Sequence, residues 1–436
     1  MHFDEQQARA ILEKAIRLSK AEGCRASLTG SRRGNIRYAR NTVTTAGIRS
    51  DTVLTVTSHF GKRSGSATVN ELDDATMERA VRRSEELARL APEDPEAMEL
   101  LGPQQYTRTP AWFERTAAIS PEYRADVAAA GIGPAKTREC TAAGYLEDRS
   151  VFTAMLNSRG LFGYHRSTDM EFSLTARSND GTGSGYATRD FNDVTRFDAA
   201  AASAIAIEKA LASRNPRTLE PGKYTVILEP EASVELIEDM MNFDARSAEE
   251  GRSFLSAPGG GTRLGQKLLD ERVTIHSDPA HPDVPATPWS GDDLPRRRTT
   301  WVEKGVVKNL SCSRYWAVKQ GREPLPTRAN IIMEGGDQSL EELIRDTPRA
   351  ILLTRTWYIR FVDPQTLLLT GLTRDGTFLV EDGQIRHAVK NFRFNESPVT
   401  MLANLQALGR PERIRGHLIP PMRVSNFTFT SLSDAI

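Results

Sequence analysis

Two adjacent carboxylates, Glu238 and Asp239, close the segment EASVELIED, whose apolar residues recur at helical spacing. Paired carboxylates offer the oxygen donors that a hard ion such as Mg²⁺ takes. They lack the imidazole or thiolate set by which a catalytic zinc lowers the pKa of bound water to about 7. The plain alternative for the pair is a solvated helix face. The seven histidines stand at 2, 59, 165, 276, 281, 387 and 417, and no two form H-x-x-x-H or HExxH. His276 and His281 flank Pro279 in IHSDPAH, the composition of a loop, and His417 in RGHLIPP reads as a side-chain hydrogen-bonding residue. No serine sits in G-x-S-x-G, so a nucleophile elbow has no support. GGTRLGQK at 260–267 fails as a phosphate loop, because Gln266 stands where the lysine belongs and no Ser or Thr follows Lys267. The glycines between 181 and 185 lie between strand-like neighbours and read as a hairpin connection.

The elements that would position these groups fall into three blocks, as expected for 436 residues, too many for one core. The expectation is an α+β fold: an N-terminal helix–antiparallel sheet–helix domain (1–105), a central α/β region (106–218) and a C-terminal β-rich domain (219–436). Ala8, Ile11, Leu12, Ala15 and Ile16 form a helical stripe, and β-branched runs at 36–39, 42–48, 52–58 and 65–69 precede a second helix over 72–90. The central block reads as a helix at 121–130, strands at 141–146 and 152–157, and an alanine-rich helix over 198–213. In the last block a strand at 226–228 leads into a helix at 231–241. Hairpin strands follow around Asp382-Gly383, and a final long helix is expected over 397–408.

Net charge is zero and the pI is about 7.1, so neither nucleic acid nor an anionic membrane is expected as a partner. The N-terminal twenty residues have no apolar signal core and no window approaches a membrane span, which predicts a cytoplasmic protein. Cys24, Cys140 and Cys312 are widely spaced, without a CxxC pair, and read as reduced packing residues.

Residues 223–255, KYTVILEPEASVELIEDMMNFDARSAEEGRSFL, resemble the core segment of the TldD/PmbA peptidase family. TTWVEKGVVKN (299–309), TRANIIMEGGDQSLEELI (327–344), GTFLVEDGQIRHAV (376–389) and FRFNESPVTMLANLQALG (392–409) extend the resemblance in order along the chain. In the catalytic branch of that family a helix carries His-Glu-x-x-x-His. The resemblance places Glu238, Asp239 and Phe243 at those three positions, so the zinc motif is missing. The end of the chain, GHLIPPMRVSNFTFTS, also lacks the catalytic branch's Cys-Gly-Lys segment, near which His417 lies. Both departures are similar to the PmbA (TldE) branch.

That likeness implies the zinc-free subunit of a heterodimeric peptidase acting on unfolded or flexible peptides. This chain then holds no catalytic residue and no metal or other cofactor, zinc being expected only in a TldD-like partner. A homodimer is an option when that partner is absent. Strands near 351–361 and 367–371 are the expected sheet edges for an extended peptide, with Arg355 and Arg360 as candidates to meet it. Two further readings are a peptidase active alone through a non-standard metal site, and a peptide-binding regulatory module without protease activity, which fits the family's older description as a modulator of DNA gyrase.

Overall fold

The computed structural model describes residues 3–433, so His2 lies outside the described residues. Helix α1 (Glu5–Leu18) buries Ala8, Leu12 and Ala15, the stripe that the sequence predicts, and Asp4 closes a capping box at its start. Strands β1 (Gly23–Ala39), β2 (Thr42–Phe60) and β3 (Arg63–Val69) follow, then α2 (Asp74–Leu90). A short α3 (Glu114–Ala117) and α4 (Pro121–Thr137) lead into β4 (Cys140–Asn157), β5 (Phe162–Ser178), β6 (Ser184–Phe191) and α5 (Ala199–Ala212). The six strands form one antiparallel sheet in the order β3-β2-β1-β4-β5-β6, so segments 1–105 and 106–218 each contribute three strands to it. β1 pairs with β4 from Arg25 to Tyr38, which welds the two halves.

The two strands expected at 141–146 and 152–157 are one strand, β4. Charged Glu147-Asp148-Arg149 reads as an interruption in the sequence, but Asp148 is buried and receives two hydrogen bonds from buried Arg124 of α4, at 2.5 and 3.0 Å. Gly34 on β1 makes room for that guanidinium; a Cβ there would overlap it.

The rest of the chain builds two further sheets. Its elements are β7 (Lys223–Leu228), α6 (Pro230–Met240), α7 (Ala245–Glu249), β8 (Ile275–Ser277), β9 (Thr299–Glu303), β10 (Val306–Val307), α8 (Arg314–Lys319), β11 (Ile332–Met333) and α9 (Leu340–Arg345). Then come β12 (Arg349–Asp363), β13 (Leu368–Glu381), β14 (Gln384–Ala388), β15 (Phe392–Glu396), α10 (Pro398–Ala403), β16 (Leu405–Leu408), β17 (Glu412–Ile414), β18 (His417–Ile419) and β19 (Met422–Leu432). One sheet runs β10-β9-β8-β11-β18-β17. In the other, β12-β7-β19-β15-β13 closes on itself because β12 also pairs with β13, a five-stranded barrel with β14 added at β13. Closure removes edges.

Closure also corrects one sequence expectation. Leu369 and Thr370 pair with β12 on one side and β15 on the other, so 367–371 presents no open edge. β12 meets β7 only over Ile351–Leu353, which among the described residues leaves one side of its distal half unpaired. The helix expected over 397–408 ends at Ala403. Residues 405–408 instead pair with β19, because the strand partner outweighs a helical apolar spacing. His276, expected in a loop, lies buried on β8 opposite Ile332.

Candidate functional site

Helix α6 starts with Pro230 in its first turn and buries Val234, Leu236, Ile237 and Met240. Glu231, Glu235 and Glu238, spaced four and three apart, share one stripe of it. Across from that stripe, β17 and β18 are joined by Arg415-Gly416 with φ of 51° and 73°, the two left-handed residues of a tight hairpin turn. The turn delivers Arg415 onto the stripe: its guanidinium lies 2.9 Å from Glu231 Oε1, 3.6 Å from Glu235 Oε2 and 4.0 Å from Glu238 Oε2.

Two residues on, His417 lies with Nε2 2.9 Å from Glu238 Oε1. Its Nδ1 accepts the Ile331 backbone N–H at 3.1 Å, so the ring proton belongs on Nε2, which donates to the carboxylate. Burial raises the pKa of Glu238, but the His417 hydrogen bond and the charges of Arg415 and Arg328 outweigh it and leave the group below its ordinary value. Glu231 goes the other way, raised by burial that Arg415 and Arg355 only partly offset.

Asp239 leaves this stripe and lines a cleft of ≈ 520 Å³ with Phe243, Trp301, Arg328 and Phe361. Burial, then repulsion from Glu235 and Glu238, push its pKa up to about 6. Phe243 is a core residue, edge-on to Phe254 and Trp301 at 6.0 and 6.5 Å.

Zinc does not fit these residues. Phe243 has no donor atom, the imidazole nitrogen facing Glu238 carries its proton, and Glu238 is already engaged by His417 and Arg415. Among the described residues no group of three or more His, Cys, Asp or Glu side chains is placed to hold an ion.

Arg355 and Arg360, the two candidates for meeting a peptide, are far apart in character. Arg355 is largely buried, paired with Asp375 at 2.9 Å and stacked over Tyr186 at 4.0 Å, and Asp375 in turn accepts the Ser184 hydroxyl of β6. Arg360 is exposed on the distal part of β12, over the Tyr358 ring at 4.3 Å. Trp357, Tyr358, Phe361 and Val362 are exposed beside it.

A second cleft, ≈ 640 Å³, opens between the outer strands of the N-terminal sheet and the β17–β18 hairpin. Arg413 bonds Asp190 at 2.9 Å and Arg149 bonds Asp169 at 2.6 Å across its walls. Burial raises Asp169 and pulls His165 down to about 4. Sequence reasoning missed Glu231, Glu235, Arg413 and Arg415. The four–three spacing of the glutamates and the Arg-Gly pair between two short apolar runs were the available signals.

The comparisons with known proteins agree with this architecture. Family models of the PmbA/TldA metallopeptidases match in three parts: domain 1 at 24–88, the central domain at 112–214 and the C-terminal domain at 221–431. A protein of Methanothermobacter thermautotrophicus described as a metalloprotease is 24% identical over 287 residues, covering 61% of this chain and 62% of its own length. The crystal structure of TldE from Thermococcus kodakarensis superposes with a TM-score of 0.86 at 18% identity, over 97% of this chain and 99% of that one. A Thermotoga maritima protein described as a candidate modulator of a DNA gyrase gives 0.85 at 17%, over 97% and 100%.

Proposed function

The chain belongs to the PmbA/TldA metallopeptidase family, and from that premise we propose that it is the zinc-free subunit of a heterodimeric peptidase acting on unfolded or flexible peptides. A TldD-like subunit supplies the zinc and the chemistry; this chain supplies architecture and part of the peptide channel, in the cytoplasm. The observation that carries the reading is the state of Glu238, whose carboxylate is held by His417 at 2.9 Å and faced by Arg415 at 4.0 Å. At the position where the catalytic branch places a ligand, this chain has an internal hydrogen bond.

The distal half of β12, unpaired on one side and flanked by exposed aromatic residues, supports a surface on which an extended segment adds as a strand. No described helix is long and apolar enough to cross a membrane. The test is elemental analysis of the purified chain beside cleavage of an unstructured peptide, with and without a co-expressed TldD-type protein. The expected result is no zinc and no cleavage alone, with cleavage on mixing. Stoichiometric metal and cleavage by the isolated chain, abolished by Glu238→Ala, would overturn the proposal.

A further inference from the structure

Arginines are numerous where the two clefts meet, and most have a carboxylate. Arg149 has Asp169, Arg413 has Asp190, and Arg415 has Glu231. Arg296 and Arg328 do not: among the described residues neither has a carboxylate within 4 Å. Arg296 Nε donates to the Thr327 carbonyl at 3.0 Å, Nη2 to the Thr327 hydroxyl at 3.3 Å, and Nη1 to the Thr287 carbonyl at 3.4 Å. Arg328 donates to the carbonyls of Met241 and Glu238 at 3.3 and 3.4 Å, near the end of α6. Apart from the 3.0 Å bond to the Thr327 carbonyl these bonds to neutral groups are long, and each guanidinium keeps N–H donors that no protein group among the described residues takes.

The two residues are neighbours through Thr327, which Arg296 grips and Arg328 follows. Arg296 lines the larger cleft and Arg328 the smaller, with Thr327–Ala329 between them. Both side chains are half-buried. Burial lowers the pKa of both, and repulsion from Arg328 lowers Arg296 further. Neither guanidinium has a carboxylate in direct contact, Asp292 acting on Arg296 and Glu238 on Arg328 only at longer range, so an anion entering between them would add the direct partner that both lack.

We propose that Arg296 and Arg328 form a subsite for the C-terminal carboxylate of a peptide lying in the cleft between the N-terminal sheet and the C-terminal part of the chain. The acidic walls select the ligand. Asp169, Glu171 and Asp190 line the larger cleft, and Glu238 and Asp239 the smaller, so a phosphate dianion or polyanion meets stronger repulsion than a single carboxylate does. The subsite rests on the reading that this protein handles peptides, and it adds which end of the peptide is held.

The test is calorimetric titration of the full chain with an N-acetylated alanine tripeptide as the free acid and as the C-terminal amide. The acid should bind roughly tenfold or more tightly than the amide. Arg296→Gln and Arg328→Gln should each bring the acid to the amide's affinity. Because Arg328 also holds two carbonyls of the α6 end, the arginine Nε–H NMR resonances of the unaltered protein provide a second readout, and two should shift with the acid but not with the amide. Equal binding of acid and amide would overturn the subsite and leave peptide handling standing. Absence of binding by either would remove both. A preference for acid that survives both substitutions, or stronger competition from inorganic phosphate than from acetate, would also overturn it.

Discussion

At the residue scale, two adjacent carboxylates near the end of one short helix have been driven apart in pKa. Glu238 is held ionised by His417 and nearby arginines, whereas Asp239, one residue on, faces Phe243, Trp301 and Phe361 and has its pKa pushed up to about 6. A carboxyl that is harder to ionise in the fold than in the unfolded chain binds its proton more tightly there. The native state therefore loses stability as pH rises from about 4 to about 6, and the penalty is complete above that window. Asp239→Asn removes it. At pH 7 the variant should be more stable by about 1 kcal/mol, a figure reduced because the group is only half-buried. At pH 4 the two proteins should unfold alike. Urea midpoints at the two pH values check this, and an asparagine variant that is no more stable at pH 7 than at pH 4, relative to the parent, would contradict it.

At the element scale, β1 and β4 are held in register around an ion pair that crosses from α4 to the sheet. Arg124 and Asp148 are 2% and 1% exposed, so neither charge has water to fall back on. Asp148→Ala strands the Arg124 guanidinium and also removes the partner that Arg32 has at 3.7 Å; a loss of about 3–5 kcal/mol is expected. Arg124→Met should cost less, since Arg32 still faces the carboxylate. The double variant should cost clearly less than the sum, by denaturant unfolding; additive losses would mean that the pair is not coupled.

The same pair shows why the sequence was only partly legible. Helical stripes identified α1 and α2 because their patterns come from burial on one face, while alanine content marked α5 and the Asp382-Gly383 turn marked the β13–β14 hairpin. A charged triplet inside β4 carries no such pattern, since its stabilisation comes from a residue 24 positions away. The helix expected over 397–408 failed for a related reason: α10 is real, but 405–408 takes its hydrogen bonds from β19. The site followed suit, for adjacent Glu238 and Asp239 drew attention in the sequence, while Arg415 and His417 reach Glu238 only through a hairpin about 180 residues downstream.

At the scale of the whole molecule, the larger cleft is walled by both the N-terminal sheet and the C-terminal part, so its shape depends on how the two are clamped together. Arg25 holds Asp293 through two bonds of 2.8 and 2.7 Å, Arg413 holds Asp190 and Asn192, Lys209 holds Glu229, and Arg246 holds Glu96. These are not equivalent. The Arg246–Glu96 pair is about one-third exposed and will be screened by salt, whereas Arg413 and Asp190 are 7% and 14% exposed and will not. The buried clamps should therefore keep the two halves in one cooperative unit even at high ionic strength. Calorimetry of the unaltered chain in about 0.5 M salt, where the screening length is only a few ångströms, should give a single unfolding transition. Asp190→Asn with Asp293→Asn leaves both arginines without their counter-charges and should split that transition in two, with the N-terminal sheet and the C-terminal barrel melting separately. Two transitions in the unaltered protein would mean that the clamps do not couple the halves. The larger cleft would then open and close with the relative motion of the halves, and a peptide bound there would itself have to bring them together.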